Sequence, residues 1–336
     1  MGASNDVGQG LLHPRDKRVR ELVVASPLKN LWDLQGVPLR EAGRRTWQAA
    51  LHDRLPSIAA ELGFWFAFAL FPALLCAATV VGLAARSATL IYDRLLEYLA
   101  LVVPQSALGV VVHIFHETTA HSSSGKVTFG LLAAVWSASV GVSAIQDATN
   151  AVYKIAERRS YLKARLQAIA LTFLVICTIT LCLAAMFAGD FLSAWLHVHM
   201  QGALTSRAAV ILTRILGWIL ATVLLSISFS SIYYFAPDLR KRQWHWITPG
   251  AALGICGWLA ASIGFRIYLH FFNTYAVTYG SLGVVIILLM WFYITGLMLL
   301  VGAEFNSEIE AAVAELRLLR DEKTNLHGQP FVAPAA

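Results

Sequence analysis

Long apolar runs alternate along the chain with short polar and basic segments. Stretches nearly free of Asp, Glu, Lys and Arg occupy residues 62–85, 127–149, 166–188, 208–235, 247–270 and 281–303. About 20 apolar residues, each rising about 1.5 Å, cross a hydrocarbon core of about 30 Å, and within lipid a helix satisfies its own backbone groups. The pattern therefore predicts an all-α integral membrane protein with six transmembrane helices.

A seventh apolar run, 98–116, carries Pro104 and two polar residues at its centre. Lys and Arg in short loops concentrate on the cytoplasmic side of a membrane. With six spans and both termini in the cytoplasm, twenty of the 26 basic residues lie in inner segments and five in outer segments. Letting 98–116 cross would move the five basic residues of 154–165 outside. We therefore predict six spans, with 86–126 as an outer segment that includes an amphipathic stretch along the interface.

Composition and charge agree with this topology. Hydrophobic residues make up 57% of the chain and charged residues only 14%, with no apolar signal peptide before the first span. The four cysteines lie within apolar runs and lack the spacing of a disulfide framework or a zinc site, so we expect small core residues. The net charge of +6 follows from basic inner loops that face anionic lipid, and it predicts no nucleic-acid partner.

The chain divides into three predicted regions. Residues 1–58 form a basic cytoplasmic region with short amphipathic pieces, and 59–310 form the membrane domain. Residues 311–336 are expected to be a cytoplasmic amphipathic helix and a disordered tail, because apolar residues recur there at helical spacing among acidic ones.

The second span has a polar face. At about 100° per residue, six polar residues of this span and its cytoplasmic end fall within an arc of about 100°. These residues are Ser139, Ser143, Gln146, Asp147, Asn150 and Lys154. Polar groups within a span are costly and usually face the bundle interior or water, so the face predicts either a polar path or headgroup site, or a helix interface held by small and polar side chains.

The fourth span repeats this pattern in an arc of about 80° and also carries Arg214. Its polar residues are Thr222, Ser226, Ser230 and Tyr233. Arg214 is a candidate substrate or counter-ion site; the alternatives are that it extends to the outer interface or pairs with Asp190. In the fifth span, the Gly250/Gly254, Gly257/Ala261 and Ala260/Gly264 spacings predict close helix packing.

No catalytic constellation is visible in the sequence, and no cofactor is expected. The segment HIFHETTAH resembles a zinc-protease helix, but His116 and His121 are five residues apart and diverge by about 140° on a helix. His113, His116 and Glu117 could share an outer metal, although solvated loop residues are the alternative interpretation. We predict no metal site and no enzyme.

The most specific motif of the chain is YGSLGVVIILLMWFYITGLMLLVGAEFNSEIE at 279–310, and three further blocks lie at 59–75, 137–166 and 233–259. These four segments resemble the YihY/BrkB family of bacterial inner-membrane proteins, formerly called ribonuclease BN. The resemblance places the family's recurrent positions on Phe71, Pro72, Ser137, Gly141, Asn150, Tyr153, Pro237, Pro249, Tyr279, Gly280, Ser281, Leu282, Gly283, Gly302, Glu304 and Asn306. In the first span, Phe64, Trp65 and Ala69 replace the polar residues that are usual in the family.

The resemblance implies a multi-pass protein of the bacterial inner membrane and supplies no settled activity. Together with the polar face, it leads us to expect a transporter or lipid-handling protein whose partners are membrane lipids and a small anionic or lipid substrate. A scaffold that does not transport is the alternative. Ribonuclease activity is least expected, because RNA hydrolysis needs a metal-activated water or paired acid and base groups, and neither is visible.

Overall fold

The structure, a computed structural model, describes residues 37–84, 124–199, 203–239, 247–271 and 281–328, together with Val19 and Trp32. The described part of the chain is helical and contains no β-strand, which confirms the predicted all-α class. Its helices are α1 Leu39–His52, α2 Leu55–Ala84, α3 Ser124–Val152, α4 Tyr161–His199, α5 Ala203–Phe235, α6 Pro249–Phe271 and α7 Ser281–Gly328.

Four helices within the described ranges are long and apolar enough to cross a membrane. These segments are Tyr161–Gly189, Val210–Phe235, Pro249–Phe271 and Leu282–Arg320, and a shorter apolar segment is Leu55–Leu70. This finding supports a membrane protein. The count of six spans and the side on which the termini lie stay predictions, and the outer segment predicted around 98–116 falls outside the described residues.

The helices of the bundle pack in chain order. Each of α2 to α6 contacts the next helix, and α7 returns to pack on α2 as well as on α6. One apolar core draws side chains from α2 through α7, among them Leu62, Ile145, Leu171, Ile232 and Leu300. Burial of these apolar surfaces stabilises the contacts between helices once they lie side by side.

The crossing of α6 and α7 depends on small residues, as the Gly250/Gly254 spacing predicted. The prediction from Ala260/Gly264 is wrong at Gly264, where an added side chain would meet nothing within 4 Å. A side chain at Gly302 would overlap the Tyr233 hydroxyl and the Gly250 backbone, and one at Gly254 would lie 3.0 Å from the same hydroxyl. The Asn306 carboxamide accepts a hydrogen bond from the Gly250 N–H at 2.8 Å and donates one to Thr248 Oγ1 at 3.0 Å. A side chain from α7 therefore caps the first turn of α6, where backbone N–H groups lack helical partners.

Helix α7 extends well past the predicted span without a break. It is 48 residues long and passes through residue 310, where a domain boundary was predicted, to Gly328. Residues 302–314 are buried. Phe305, Ile309 and Val313 pack against Val37 and Ala42 of the N-terminal region. An amphipathic helix was predicted after residue 310, but this part of the chain continues α7 and is partly enclosed by α1.

Candidate functional site

The polar face of α3 divides into a buried half and an outward half. Ser139, Gln146 and Asn150 are buried, whereas Ser143 is half-buried and Asp147 is exposed. Helix α3 lies between α2 and α4, so one edge of a broad polar arc points into the bundle and the other edge points away from it. The two interpretations left open by the sequence therefore apply to different edges of the same face.

The buried half is packed. The Ser139 hydroxyl donates to the Trp136 carbonyl of its own helix at 2.7 Å. Gln146 is surrounded by the core, and its Nε2 has no hydrogen-bond partner among the described residues. Asn150 is engaged by the neighbouring loops. These contacts favour the helix-interface interpretation for this half.

A polar network ties the end of α3 to the start of α4 and the end of α5. Asn150 donates to Glu157 at 2.9 Å and accepts from the Asp238 N–H at 2.8 Å. Arg159, whose side chain is buried, forms an ion pair with Glu157 and donates to Gln167 at 2.8 Å. We call these five residues the loop network. The sequence marked only Asn150, because Glu157 and Asp238 lie in separate basic loops without recognisable spacing.

The charges of the loop network stabilise one another. Burial of Glu157 raises the pKa of its carboxyl, but hydrogen bonds from Arg159 and Asn150 outweigh burial, and the pKa lies below its ordinary value. Burial lowers the pKa of Arg159, yet its hydrogen bonds to Glu157 raise it overall. The network thus holds an ionised pair and does not present a free acid or base.

The outward half of the α3 face meets an arginine from α4. Arg165 lies with its guanidinium carbon 4.2 Å from the centre of the Trp136 ring, and Trp136 is 58% exposed. The guanidinium donates to the Ser143 hydroxyl at 3.2 Å and to the Trp136 carbonyl at 3.3 Å. No carboxylate among the described residues pairs with Arg165. From the sequence, Arg165 was recognisable only as one of the basic residues that set the topology, since its neighbours belong to another helix.

Asp147 stands one helical turn from Ser143 on the same outward edge. It makes no hydrogen bond or ion pair with any described residue, although Glu157, Glu61 and Arg159 lie near enough to interact with it electrostatically. We call Trp136, Ser143, Asp147 and Arg165 the outward polar site. It contains one cation and one anion, and neither forms an ion pair with a described residue within 4.0 Å, although Arg159 interacts with Asp147 at longer range.

The polar residues of α5 do not join this site. Ser226, Ser230 and Tyr233 are buried, and the Tyr233 hydroxyl donates to the Leu299 carbonyl of α7 at 2.8 Å. Thr222 is exposed and donates to the Trp218 carbonyl of its own helix. Arg214 is exposed on α5. Within the described ranges, no hydrogen bond connects these polar residues of α5 to the polar face of α3.

The positions carried over from the family resemblance have mainly packing roles where the structure describes them. Gly283, Gly302, Glu304 and Asn306 are buried in α7, whereas Leu282 is exposed. Ser281 is the first residue of α7. Tyr279 and Gly280 lie outside the described residues, as do His113, His116 and Glu117. Among described residues, no group of His, Cys, Asp and Glu could hold a metal ion.

Comparisons with known proteins place the chain in a family. The family model described as virulence factor BrkB matches residues 46–325. A putative ribonuclease-like protein, YfkH of Bacillus subtilis, is 33% identical over 251 residues, which cover 75% of this chain and 88% of that protein.

Other relatives carry the description of UPF0761 membrane protein. The relative from Tolumonas auensis is 26% identical, over 84% of this chain and 89% of its own. The relative from Stenotrophomonas maltophilia is 27% identical, over 82% of this chain and 63% of its own. No solved structure matches. The match of the family model to most of the chain shows that this protein belongs to the BrkB family of membrane proteins.

Proposed function

We propose that the protein is a lipid-handling protein of the bacterial inner membrane, which binds lipid headgroups at the outward polar site and assists their movement between leaflets. One observation carries this proposal. Asp147 and Arg165 lie on the outward side of helices α3 and α4, and neither has an ion-pair partner among the described residues.

Charged side chains on membrane helices are costly, and those that persist usually face water, another charge or a substrate. Here the charges lie on the side of the bundle that lipids would contact. A lipid headgroup supplies charges of both signs and would neutralise this site. The function supported best is thus one in which the ligand approaches from the bilayer.

The buried half of the polar face argues against a solute path through the centre of the bundle. Ser139 and Asn150 are nearly inaccessible and their side chains are hydrogen-bonded within the protein. A path for headgroups along the outside of α3 and α4 needs no central opening. This favours lipid handling over transport of a soluble ion.

The predicted topology supports a position of the site on the cytoplasmic half of the membrane. The loop between α3 and α4 carries Lys154, Arg158 and Arg159, and such loops concentrate in the cytoplasm. Arg165 lies close to the start of α4, so the outward polar site would receive lipid from the inner leaflet.

The test is redistribution of a fluorescent phospholipid between leaflets of proteoliposomes that contain the purified protein. We expect the protein to accelerate redistribution and Arg165→Gln or Asp147→Asn to reduce the acceleration by about tenfold, the loss that follows from about 1.4 kcal/mol of lost interaction. Lys163→Gln is the matched control, because Lys163 is an exposed cation on the same helix outside the site. Acceleration that is equal in all four proteins would contradict the proposal.

The second candidate is a scaffold that does not transport. The hydrogen-bonded, buried half of the α3 face favours it, since such a face holds helices together. In the proteoliposome experiment, a scaffold would leave lipid redistribution at the rate of protein-free vesicles.

A further inference from the structure

Helix α1 presents basic and large apolar side chains on the side that faces away from the bundle. At about 100° per residue, Arg40, Arg44, Trp47 and Leu51 fall within an arc of about 60°. Trp47 and Leu51 are 69% and 59% exposed, and the side chain of Arg44 is 63% exposed. Arg54, in the turn after α1, is exposed as well. We call these five residues the α1 surface.

The opposite side of α1 is anchored to α7. Ala42 is fully buried in a cluster with Phe305 and Ile309 of α7. Arg45, beside this cluster, forms an ion pair with Glu315 of α7 at 3.0 Å. A rotation of α1 that hid the α1 surface would expose Ala42 and break this ion pair. The α1 surface is therefore held in an orientation that points away from the protein.

Positive charge predominates on α1 and the turn that follows it. Residues 39–54 contain four arginines and two carboxylates, Glu41 and Asp53. Asp53 is already paired with Lys154 of another helix end at 2.8 Å, and Glu41 is shared by two arginines of α1. The two carboxylates therefore leave the arginines in excess, and the surface complements an anionic partner.

The neighbours of α1 place it beside the predicted spans. Helix α1 ends at His52, and after a two-residue turn the apolar segment Leu55–Leu70 of α2 begins. The α7 residues that α1 covers, Phe305 and Ile309, come directly after the predicted span 281–303. The headgroup layer extends about 5–7 Å beyond each side of the hydrocarbon core. The α1 surface therefore lies within reach of this layer.

We propose that the α1 surface docks on the anionic headgroup layer of the inner leaflet. Trp47 and Leu51 insert among the upper acyl carbons, and Arg40, Arg44 and Arg54 contact lipid phosphates. Aromatic side chains and arginines with apolar stems are the residues that suit this depth, since each has an apolar and a polar part. The α1 surface is separate from the outward polar site, so this inference goes beyond the proposed function and does not depend on it.

A lipid surface is the partner that matches both properties of the α1 surface. The cytoplasmic leaflet is negatively charged and attracts basic segments next to a span. The same leaflet offers acyl carbons to the two large apolar side chains, so that both kinds of residue are satisfied in one contact. A second copy of the chain would instead bring the arginines of two α1 surfaces together, and like charges repel.

The experiment locates α1 relative to the lipid of nanodiscs that hold the full chain. A nitroxide is attached at Leu51→Cys after replacement of the native cysteines by alanine, and its collisions with oxygen, which concentrates in lipid, and with a water-soluble nickel chelate are measured. The matched control is His52→Cys, because the His52 side chain is 84% exposed but points about 100° away from Leu51. In nanodiscs of anionic lipid, the label at position 51 should collide mainly with oxygen and the label at position 52 mainly with the chelate.

The contribution of the arginines is measured with the label at position 51. The variant that combines Arg40→Gln with Arg54→Gln should lower the ratio of lipid-embedded to water-exposed label by about twenty-fivefold in anionic nanodiscs, because each arginine near an anionic surface contributes about fivefold. Arg40→Lys with Arg54→Lys keeps both charges and should retain the embedded label. This pair of variants separates the loss of charge from a change in folding.

Three outcomes would overturn the proposal. The first is a label at position 51 that meets the chelate as readily as the label at position 52. The second is an embedded label whose population is the same in neutral and anionic nanodiscs, or the same in the glutamine and lysine variants. The third is a label at position 51 that meets neither reagent and shows dipolar broadening, which would assign the α1 surface to contact with a second copy of the chain.

Discussion

At the scale of single residues, Gly302 shows how closely two helices of this bundle approach each other. Its missing side chain leaves room for the Tyr233 hydroxyl and the backbone of Gly250. We expect Gly302→Ala to force α6 and α7 apart and to destabilise the protein by about 1–3 kcal/mol, the usual cost of inserting a methyl group into a packed interior. The thermal unfolding midpoint in detergent measures this loss.

Gly264 provides the matched control for that substitution. It lies on α6, and a side chain added there would meet nothing within 4 Å. We expect Gly264→Ala to leave stability unchanged or to raise it, because alanine is the better helix former by about 1 kcal/mol. If the two variants unfold at the same temperature, the α6 and α7 contact is looser than the distances indicate.

Single residues also mark the limit of what the sequence could predict at the site. The periodicity of α3 placed Ser143, Asp147 and Asn150 on one face, and in the structure Asn150 lies on the buried edge of that face and Asp147 on its exposed edge. Periodicity within one helix carries no information on which neighbour covers each edge. Arg165 joins the site from α4 through contacts to Trp136 and Ser143, so only the packing of two helices revealed it.

At the scale of helices, the turn from α3 to α4 is held by backbone and side-chain bonds together. Lys154 has a left-handed backbone with φ of 55°, and the Ile155 N–H donates to the Asn150 carbonyl at 3.0 Å, which closes the end of α3 in the manner of a Schellman motif. Lys154 also pairs with Asp53 at 2.8 Å. This ion pair links the turn between α1 and α2 to the end of α3.

The loop network at this turn leads to a prediction about acid stability. Glu157 has a pKa below the ordinary value of 4.5, so its ionised form stabilises the fold above that value and the stabilisation is lost as pH falls through the lower, folded-state pKa. We expect Glu157→Gln to lower the unfolding temperature near neutral pH. The difference in unfolding temperature between the wild type and the variant should become smaller below about pH 4.5.

The control for the acid experiment is Ser160→Ala, in the same loop but without an ionisable side chain. Any difference in unfolding temperature between this variant and the wild type should stay the same as the pH falls. The unfolding temperatures of the wild type and Glu157→Gln could instead differ by the same amount at every pH at which the protein still folds. That result would show that the Glu157 charge does not stabilise the native state.

The helices themselves were predicted better than their ends. The length of the apolar runs in the sequence located α4, α5, α6 and α7, because a run of about 20 apolar residues is a strong signal of a membrane span. The end of α7 was not located, since residues 302–314 are buried by α1 and by other helices, and acidic residues there were expected to face water. Burial between helices far apart in sequence has no local signal.

At the scale of the whole molecule, the order of packing explains why the site lies on the outside. Helices α2 to α7 follow one another around the bundle and share one core, so each helix has an inner edge and an outer edge. Polar residues on an inner edge become packing contacts, as Asn150 and Tyr233 do. Polar residues on an outer edge point away from the core, and the proposed function requires Asp147 and Arg165 to meet lipid on this edge.

The predicted orientation of the bundle in the membrane is tested by thiol labelling. After replacement of the native cysteines by alanine, Ser160→Cys introduces a thiol into the exposed loop between α3 and α4. The positive-inside rule places this loop in the cytoplasm. An impermeant maleimide should therefore label the thiol in inside-out vesicles and leave it unmodified in spheroplasts.

Phe191→Cys is the matched site at the other end of the bundle. Residue 191 is 74% exposed and follows the apolar segment Tyr161–Gly189 of α4, so a single crossing separates it from Ser160. It should show the opposite labelling pattern. If both thiols react from the same side, α4 does not cross the membrane; if the two patterns are exchanged, the bundle is inverted. Inversion would place the outward polar site in the outer leaflet, so that lipid would enter the site from the periplasmic side.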